Sequence, residues 1–484
     1  MSELSLVYLS PMLPEIFLAV SAMVLLVCGV FRGNSATPFF CWCGVAIFYV
    51  ALMLLLGTDW STHIMFDGLY RLDAYGAYSK MLIFLGAMAT LALSAAFLKE
   101  EGIMRFEYPV LFVLSVTGMM FMVSAHNFMS LYVGLELQSL CLYILASIHR
   151  EAIRSAEAGV KYFVLGAISS GMMLFGISMI YGFTGTTDFD VLAEVFRTEE
   201  TAHIGVIFGM VFILAGIAFK VSAAPFHMWT PDVYEGAPTS VTVFFATVTK
   251  LAALIMLSRL LFGVFGGLQA EWQQIVYFMS VSSMVVGAFG ALRQTNIKRL
   301  MAYSSIVNMG YALIGFVAAT DDGVTAVLTY IVIYMITLAG VFGVIMMMRR
   351  QGYACENLSD LAGLSKHSPL IAYAMAIFMF SISGIPPFAG FFGKFIIFKA
   401  AVDAGFFVLA VVGVLLSVVA AFYYLRIIKI MFFDEPADAF DPDRSFSRRA
   451  AILIAVVMIV CFIIMPELII DSAREATQAL FSGA

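Results

Sequence analysis

Charge is what this 484-residue sequence has least of: Asp, Glu, Lys and Arg together make up 12% of it, against 62% hydrophobic residues. A soluble protein carries about 25% charged residues to cover its surface, so this supply excludes a water-facing globule. The mean hydropathy of +0.99 points the same way. Cofactor signatures are missing too. The six cysteines (Cys28, Cys41, Cys43, Cys141, Cys355, Cys461) form no CxxC and have no neighbouring histidine pair, so they read as small buried hydrophobes. No haem-attachment, iron–sulfur, Walker A or GxGxxG pattern stands out, so redox or nucleotide chemistry is expected on another chain. No cofactor, metal or nucleic acid is expected on this one. The chain starts Met-Ser-Glu without a cationic segment, and Glu15 precedes the first apolar run, so no cleaved signal peptide is expected. The net charge of −6 says little, because charges in short loops sort by side of the membrane.

What remains is apolar sequence in long runs. Runs of roughly 18 residues or more predict an all-α polytopic membrane protein of about fourteen transmembrane helices. They lie near 14–31, 38–57, 76–98, 107–124, 127–148, 157–182, 203–221, 239–262, 271–292, 298–320, 324–348, 368–401, 404–432 and 449–466. The 368–401 run is too long for one straight span and contains Gly384-Ile385-Pro386-Pro387, which must interrupt the helical ladder. The seventh run ends in Lys220 and breaks at Pro225. These two breaks fall in the fourth member of two five-span blocks. Blocks of odd span number face opposite ways, so two inverted repeats with broken helices 7 and 12 are expected. The resulting division is 1–106 (spans 1–3), 107–262 (first repeat), 263–432 (second repeat) and 433–484 (cytoplasmic loop, span 14 and tail). Lys and Arg crowd the odd-numbered connections (Arg150, Arg154, Arg293, Lys298, Arg299, Arg349, Arg350), whereas the even-numbered ones hold little beyond Arg71 and Arg197, which puts both termini outside.

Four ionisable groups sit inside these runs. Lys250 is near the middle of Thr239 to Phe262, a stretch with no acid, where a charge costs from about 3 to more than 10 kcal/mol. Glu136 lies midway along Phe128 to Ile148, Lys220 near the end of His203 to Val221, and Lys394 within Ile377 to Ala401. Burial favours the neutral amine and a nearby carboxylate restores its charge. At about 4 Å and an effective dielectric near 20 such a pair is worth roughly 4 kcal/mol, so opening it releases a proton. Glu136, the acid of the mid-chain spans, is the natural partner of Lys220 or Lys250. The blander readings are a structural ion pair for Lys250 and Glu136, and snorkelling for Lys220 and for Lys161, which stands a few residues into the sixth span. For Lys394 the break leaves depth open. His227, in the polar segment Lys220 to Pro238, either relays protons or caps a broken helix. Trp229 and Tyr234 read as interfacial anchors.

That segment, Lys220-Val-Ser-Ala-Ala-Pro225-Phe-His227-Met-Trp229-Thr-Pro231-Asp232, resembles the signature of the proton-conducting membrane family of respiratory NADH:quinone oxidoreductase (complex I), shared with Mrp-type sodium/proton antiporter subunits. Leu131-Tyr132-Val133-Gly134-Leu135-Glu136-Leu137, Tyr303-Ser304-Ser305-Ile306-Val307-Asn308-Met309-Gly310-Tyr311 and Gly384 through Lys394 resemble further motifs of it. The resemblance implies Glu136 as the helix-5 glutamate, Lys161 as a helix-6 lysine, Lys220 as the helix-7 lysine and Lys250 as the helix-8 lysine at the channel centre. Paralogous subunits carry lysine or glutamate where Lys394 stands, and one lysine-bearing type adds a long lateral helix after span 14 that is lacking here. Histidine is common in the family where Asn308 stands, so no imidazole relay is expected in span 10. The implied role is proton translocation in a bacterial inner membrane, driven by quinone reduction elsewhere, beside neighbouring membrane subunits, the peripheral redox arm and lipid. An Mrp-type cation/proton antiporter subunit is the alternative.

Overall fold

A backbone in hydrocarbon must satisfy its own N–H and C=O groups, and this chain does so with helices almost throughout. The computed structural model describes residues 9–198 and 203–482. Its helices are α1 (Leu13–Arg32), α2 (Thr37–Leu56), α3 (Ala74–Glu100), α4 (Glu107–Val123), α5 (Phe128–Ala146), α6 (Ile153–Thr184), α7 (Phe189–Thr198), α8 (Ile204–Val221), α9 (Trp229–Gly236), α10 (Thr239–Ala246), α11 (Val248–Ser258), α12 (Gln269–Ala291), α13 (Ile297–Val317), α14 (Asp321–Ile345), α15 (Leu364–His367), α16 (Pro369–Ser383), α17 (Ala389–Asp403), α18 (Phe407–Phe433), α19 (Phe446–Cys461) and α20 (Glu467–Ser482). Among the described residues, 11 stretches are long and apolar enough to cross a membrane. Adding α4, the interrupted pair α16 and α17, and α19 gives the fourteen predicted spans. Where spans begin, side-chain caps satisfy free N–H groups: Asp73 accepts from Gly76 at 2.7 Å, Asn127 from Met129 at 2.8 Å and Thr320 from Gly323 at 3.1 Å.

The chain divides into two units. One comprises Met1–Ile217, Val248–Trp272 and Glu475–Ala484, the other Ala218–Thr247 and Gln273–Arg474. In the first, α4 packs on α5 so closely that a Cβ on Gly118 would lie 2.5 Å from the Gln138 nitrogen, the small-residue packing that dispersion favours in lipid. A hairpin of β1 (His63–Met65) and β2 (Tyr70–Leu72) precedes α3, with Met65 opposite Tyr70. In the second, α14 runs beside α16, α17 and α19 and is almost wholly buried.

Both predicted breaks are present. Residues 222–228 separate α8 from α9, and 384–388 separate α16 from α17, where Gly384 takes φ +84°. Each interruption holds a cis peptide, Ala224–Pro225 and Pro386–Pro387. A third break was not foreseen: the Thr239–Phe262 run splits at Thr247 (φ −114°, ψ −84°) and finishes as a π-turn over Arg259–Val264. Two amphipathic helices, α7 and α20, occupy stretches read as loop and tail; their apolar residues recur at helical spacing over too few residues to register as spans. The cysteines are not uniformly buried, since Cys28 and Cys461 are exposed on helix faces that suit lipid.

Candidate site of buried lysines

Three of the candidates lie in the first unit. Lys250 is the third residue of α11, directly after the Thr247 break, and is completely buried. Glu136, in the middle of α5, is half-buried, and its Oε1 is enclosed with no hydrogen-bond partner. Lys161, on α6, is 41% exposed and pairs with Glu157 one turn earlier at 2.7 Å. An exposed pair of that kind contributes at most about 0.5 kcal/mol.

The second unit holds Lys220, His227 and Lys394. Lys220 is the penultimate residue of α8, buried, with Nζ 5.7 Å from the Phe219 ring centroid. The chain beyond it is held by side chains in place of a helical ladder. Trp229 Nε1 donates to the Phe219 carbonyl at 2.9 Å, the Ala224 N–H donates to Ser283 Oγ at 2.8 Å, and Thr230 Oγ1 donates to Ser222 Oγ at 2.7 Å. This is how a broken helix survives at membrane depth. It also corrects the reading of Trp229 and Tyr234 as interfacial anchors: both are buried, Trp229 because the freed Phe219 carbonyl takes its N–H. His227, half-buried in the turn, keeps Nδ1 enclosed without a partner. Below it, Arg299 bridges Asp232 (2.7 Å) and Glu235 (3.0 Å), and Lys298 donates to the Ala237 carbonyl and Glu356, both at 2.8 Å. Basic and acidic side chains therefore line this end of the unit.

Lys394 stands at the other break. Its Nζ donates to the Ser383 carbonyl and Ser417 Oγ, both at 3.1 Å, and lies 4.8 Å from the Tyr311 ring centroid. Gly384 allows this approach, since a Cβ there would meet Lys394 Cδ at 3.0 Å. Beside it is a polar cluster that helical periodicity hides, because tyrosine counts as apolar. Tyr330 OH donates to Asn308 Oδ1 at 2.5 Å, Asn308 Nδ2 donates to the Ser304 carbonyl at 2.7 Å, and the Ser304 and Tyr424 hydroxyls are 2.6 Å apart. Asn308, at the position noted for its lack of an imidazole, is thus the centre of a hydroxyl network. Such a network orients hydroxyl protons. Chemically, the two units offer buried amines, an enclosed carboxylate, an imidazole and chains of hydroxyls, which suit moving protons.

A family model described as NADH:quinone oxidoreductase/Mrp antiporter, transmembrane, matches residues 125–420. The chain is 52% identical to the NADH-quinone oxidoreductase subunit N of Parvibaculum lavamentivorans, over 97% of each, and 51% identical to that of Rhodospirillum rubrum, over 98% of this chain and 97% of the other. Among solved structures it resembles a chain of respiratory complex I from Thermus thermophilus (TM-score 0.80, 30% identity, 95% of this chain and 98% of that one). A chain of the Mrp complex from a Dietzia species shares the fold (TM-score 0.86, 23% identity, 97% of each).

Proposed function

The chain belongs to the NADH:quinone oxidoreductase/Mrp antiporter membrane family, and from that membership we infer that it is the proton-conducting subunit N of a bacterial complex I. Relatives at about half identity over nearly the whole length carry this reading over an Mrp-type subunit, whose likeness extends to the fold alone. Quinone reduction elsewhere in the complex drives the proton transfer; moving one charge against 100 mV stores about 2.3 kcal/mol. Lys220 and His227 are assigned proton entry from the cytoplasm, with Glu136 setting the charge of Lys220 and Lys161 relaying. Lys250 is the group that is loaded, and Lys394 passes the proton outward. The basic-loop asymmetry supports a multi-pass placement in the inner membrane with both termini outside. Neighbouring membrane subunits and, through them, the peripheral redox arm are the partners.

The observation that carries the role of Lys250 is its complete burial within a membrane helix, where an ionisable residue is functional by default. In inverted membrane vesicles, Lys250→Ala is expected to leave an assembled complex whose NADH oxidation acidifies the lumen far less than the parent's. Lys250→Arg should not restore pumping, because arginine does not deprotonate. Normal pumping by the arginine variant would overturn the assignment.

A further inference from the structure

Among the described residues, five charged or imidazole side chains buried in the first unit, Glu15, Asp73, Lys80, His126 and Arg259, take no part in the series above, and three of them precede the region that the family model matches. Glu15, in the first turn of α1, and Lys80, two turns into α3, form an ion pair with no exposed surface on either side chain. The Tyr70 hydroxyl accepts from Lys80 Nζ at 2.9 Å and lies 3.0 Å from both Glu15 Oε1 and the Pro11 carbonyl. Glu15 Oε2 is enclosed and has no hydrogen-bond partner. A buried carboxylate oxygen left without a donor is costly, and a proton is the smallest group that removes the cost.

The next layer outward is also ionic. Asp73 caps α3 and takes both arms of Arg259 at 3.0 and 2.5 Å, and Arg71 Nε lies 3.0 Å from its Oδ2. Asp73 and Arg259 act electrostatically on Lys80. Strand alternation does the rest: Tyr70 and Leu72 are buried, while Arg71 between them turns to the other face. There Arg71 and Arg259 line a cavity of about 160 Å³ with His126, Asp190 and Arg197, room for several water molecules. His126 and Asp190 are hydrogen-bonded to each other at 2.9 Å. The cavity lies at the end of the unit assigned to the outer side.

We propose that Glu15 is a proton-release group of the first unit, with Lys80 and Tyr70 as positioning residues and the Arg71–Arg259 cavity as its outlet. A proton arriving at Oε2 forms the neutral carboxylic acid; breaking that O–H bond restores the carboxylate and sends the proton outward past the Asp73 layer to water in the cavity that Arg71 and Arg259 line. Charge gives the step its direction. Within the two ionic layers Glu15 and Asp73 face Lys80, Arg71 and Arg259, one positive charge in surplus, while at the cavity Arg197 stands against Asp190 and Glu194, one negative charge in surplus. Protonating Glu15 makes the surplus two, so the cluster expels the proton toward water. The proposal rests on the reading of this chain as a proton conductor and is independent of the role of Lys250.

The test uses complex-containing inverted vesicles bearing Glu15→Gln and the double variant Glu15→Gln/Lys80→Met, which removes both buried charges together. Assembled complexes are expected to oxidise NADH while protons pumped per NADH fall about twofold. A purely structural pair predicts that the double variant, once assembled, pumps like the parent, and that result overturns the proposal. The wild-type complex supplies a second measurement that needs no variant. A hydrophobic carbodiimide reacts with protonated carboxyls, so labelling of Glu15 read by mass spectrometry should rise during NADH turnover. Labelling unchanged by turnover overturns the proposal even where the variants fail to assemble. Lys250→Ala run in parallel separates the two readings: normal pumping there with a loss in the double variant sinks only the assignment of Lys250, and the reverse sinks only that of Glu15.

Discussion

Lys80 and Lys394 are both buried lysines in membrane helices, yet the protein holds them by different means. Lys80 meets a carboxylate and a phenol oxygen in the first unit; Lys394, in the second, meets a carbonyl, a serine hydroxyl and the face of a tyrosine ring. A carboxylate at about 4 Å is worth roughly 4 kcal/mol at an effective dielectric near 20, whereas a neutral hydrogen bond nets about 1 and a cation–π contact about 1 to 2. The ammonium of Lys80 is thus held by its surroundings. That of Lys394 depends on whatever brings the proton, which is what a group in a conduction series needs.

Removing each amine alone separates the two kinds of surroundings. Lys80→Met leaves Glu15 as an uncompensated buried charge, which is expected to cost about 3–5 kcal/mol and to appear as poor assembly and a lowered thermal midpoint. Adding Glu15→Gln should recover most of that loss. Lys394→Met strands only neutral acceptors and should cost no more than about 2 kcal/mol, while reducing pumping. Equal stability losses for the two lysines, measured by thermal shift of the purified complex, would show that the difference in their surroundings does not matter.

The asymmetry between these lysines also marks what the sequence could convey. Lys394 was visible because it follows Gly384-Ile385-Pro386-Pro387, so local punctuation placed it at a break. Lys220, with Pro225 five residues on, was visible for the same reason. Glu15 and Lys80 are 65 residues apart on different spans, each near the end of an apolar run, and nothing in local spacing joins them. Glu15 accordingly read as a residue leading into the first run, whereas it is part of α1 and fully buried. The Asn308–Tyr330–Tyr424 cluster escaped because its tyrosines satisfy the apolar periodicity that defines the spans. Spans and breaks are local properties; polar contacts between spans are not.

Asp73, at the outer end of the first unit, is held by charge as Lys80 is. Burial pushes its carboxyl up, but the Arg259 guanidinium, with help from Arg71 and the Gly76 N–H, outweighs this and holds it down to about 2. A carboxyl whose folded value lies below its unfolded value of 3.8 stabilises the fold above that unfolded value, and the contribution disappears as pH falls toward the folded one. Roughly 2 kcal/mol should therefore be lost between about pH 4 and pH 2. Asp73→Asn should lower stability at neutral pH and flatten this part of the acid profile; an unchanged profile would mean that the Arg259 pair contributes nothing.

The smallest expected effect tests the neutral cradle itself. Ser417→Ala removes one of two hydrogen bonds to Lys394 without touching a charge, and a neutral bond nets about 1 kcal/mol, so a shift in thermal midpoint of only a few degrees at most is expected. Its consequence for transport differs from its consequence for stability. An ammonium sheltered by one fewer oxygen gives up its proton more readily, so the pH dependence of pumping should move toward more acidic values by a fraction of a unit. Tyr311→Phe keeps the ring face beneath Lys394 and should leave that profile in place, whereas Tyr311→Leu should move it in the same direction as Ser417→Ala. If Ser417→Ala and Tyr311→Leu both leave the profile where it was, the ammonium of Lys394 is held by something other than its neutral neighbours, and the contrast with Lys80 fails at its second member.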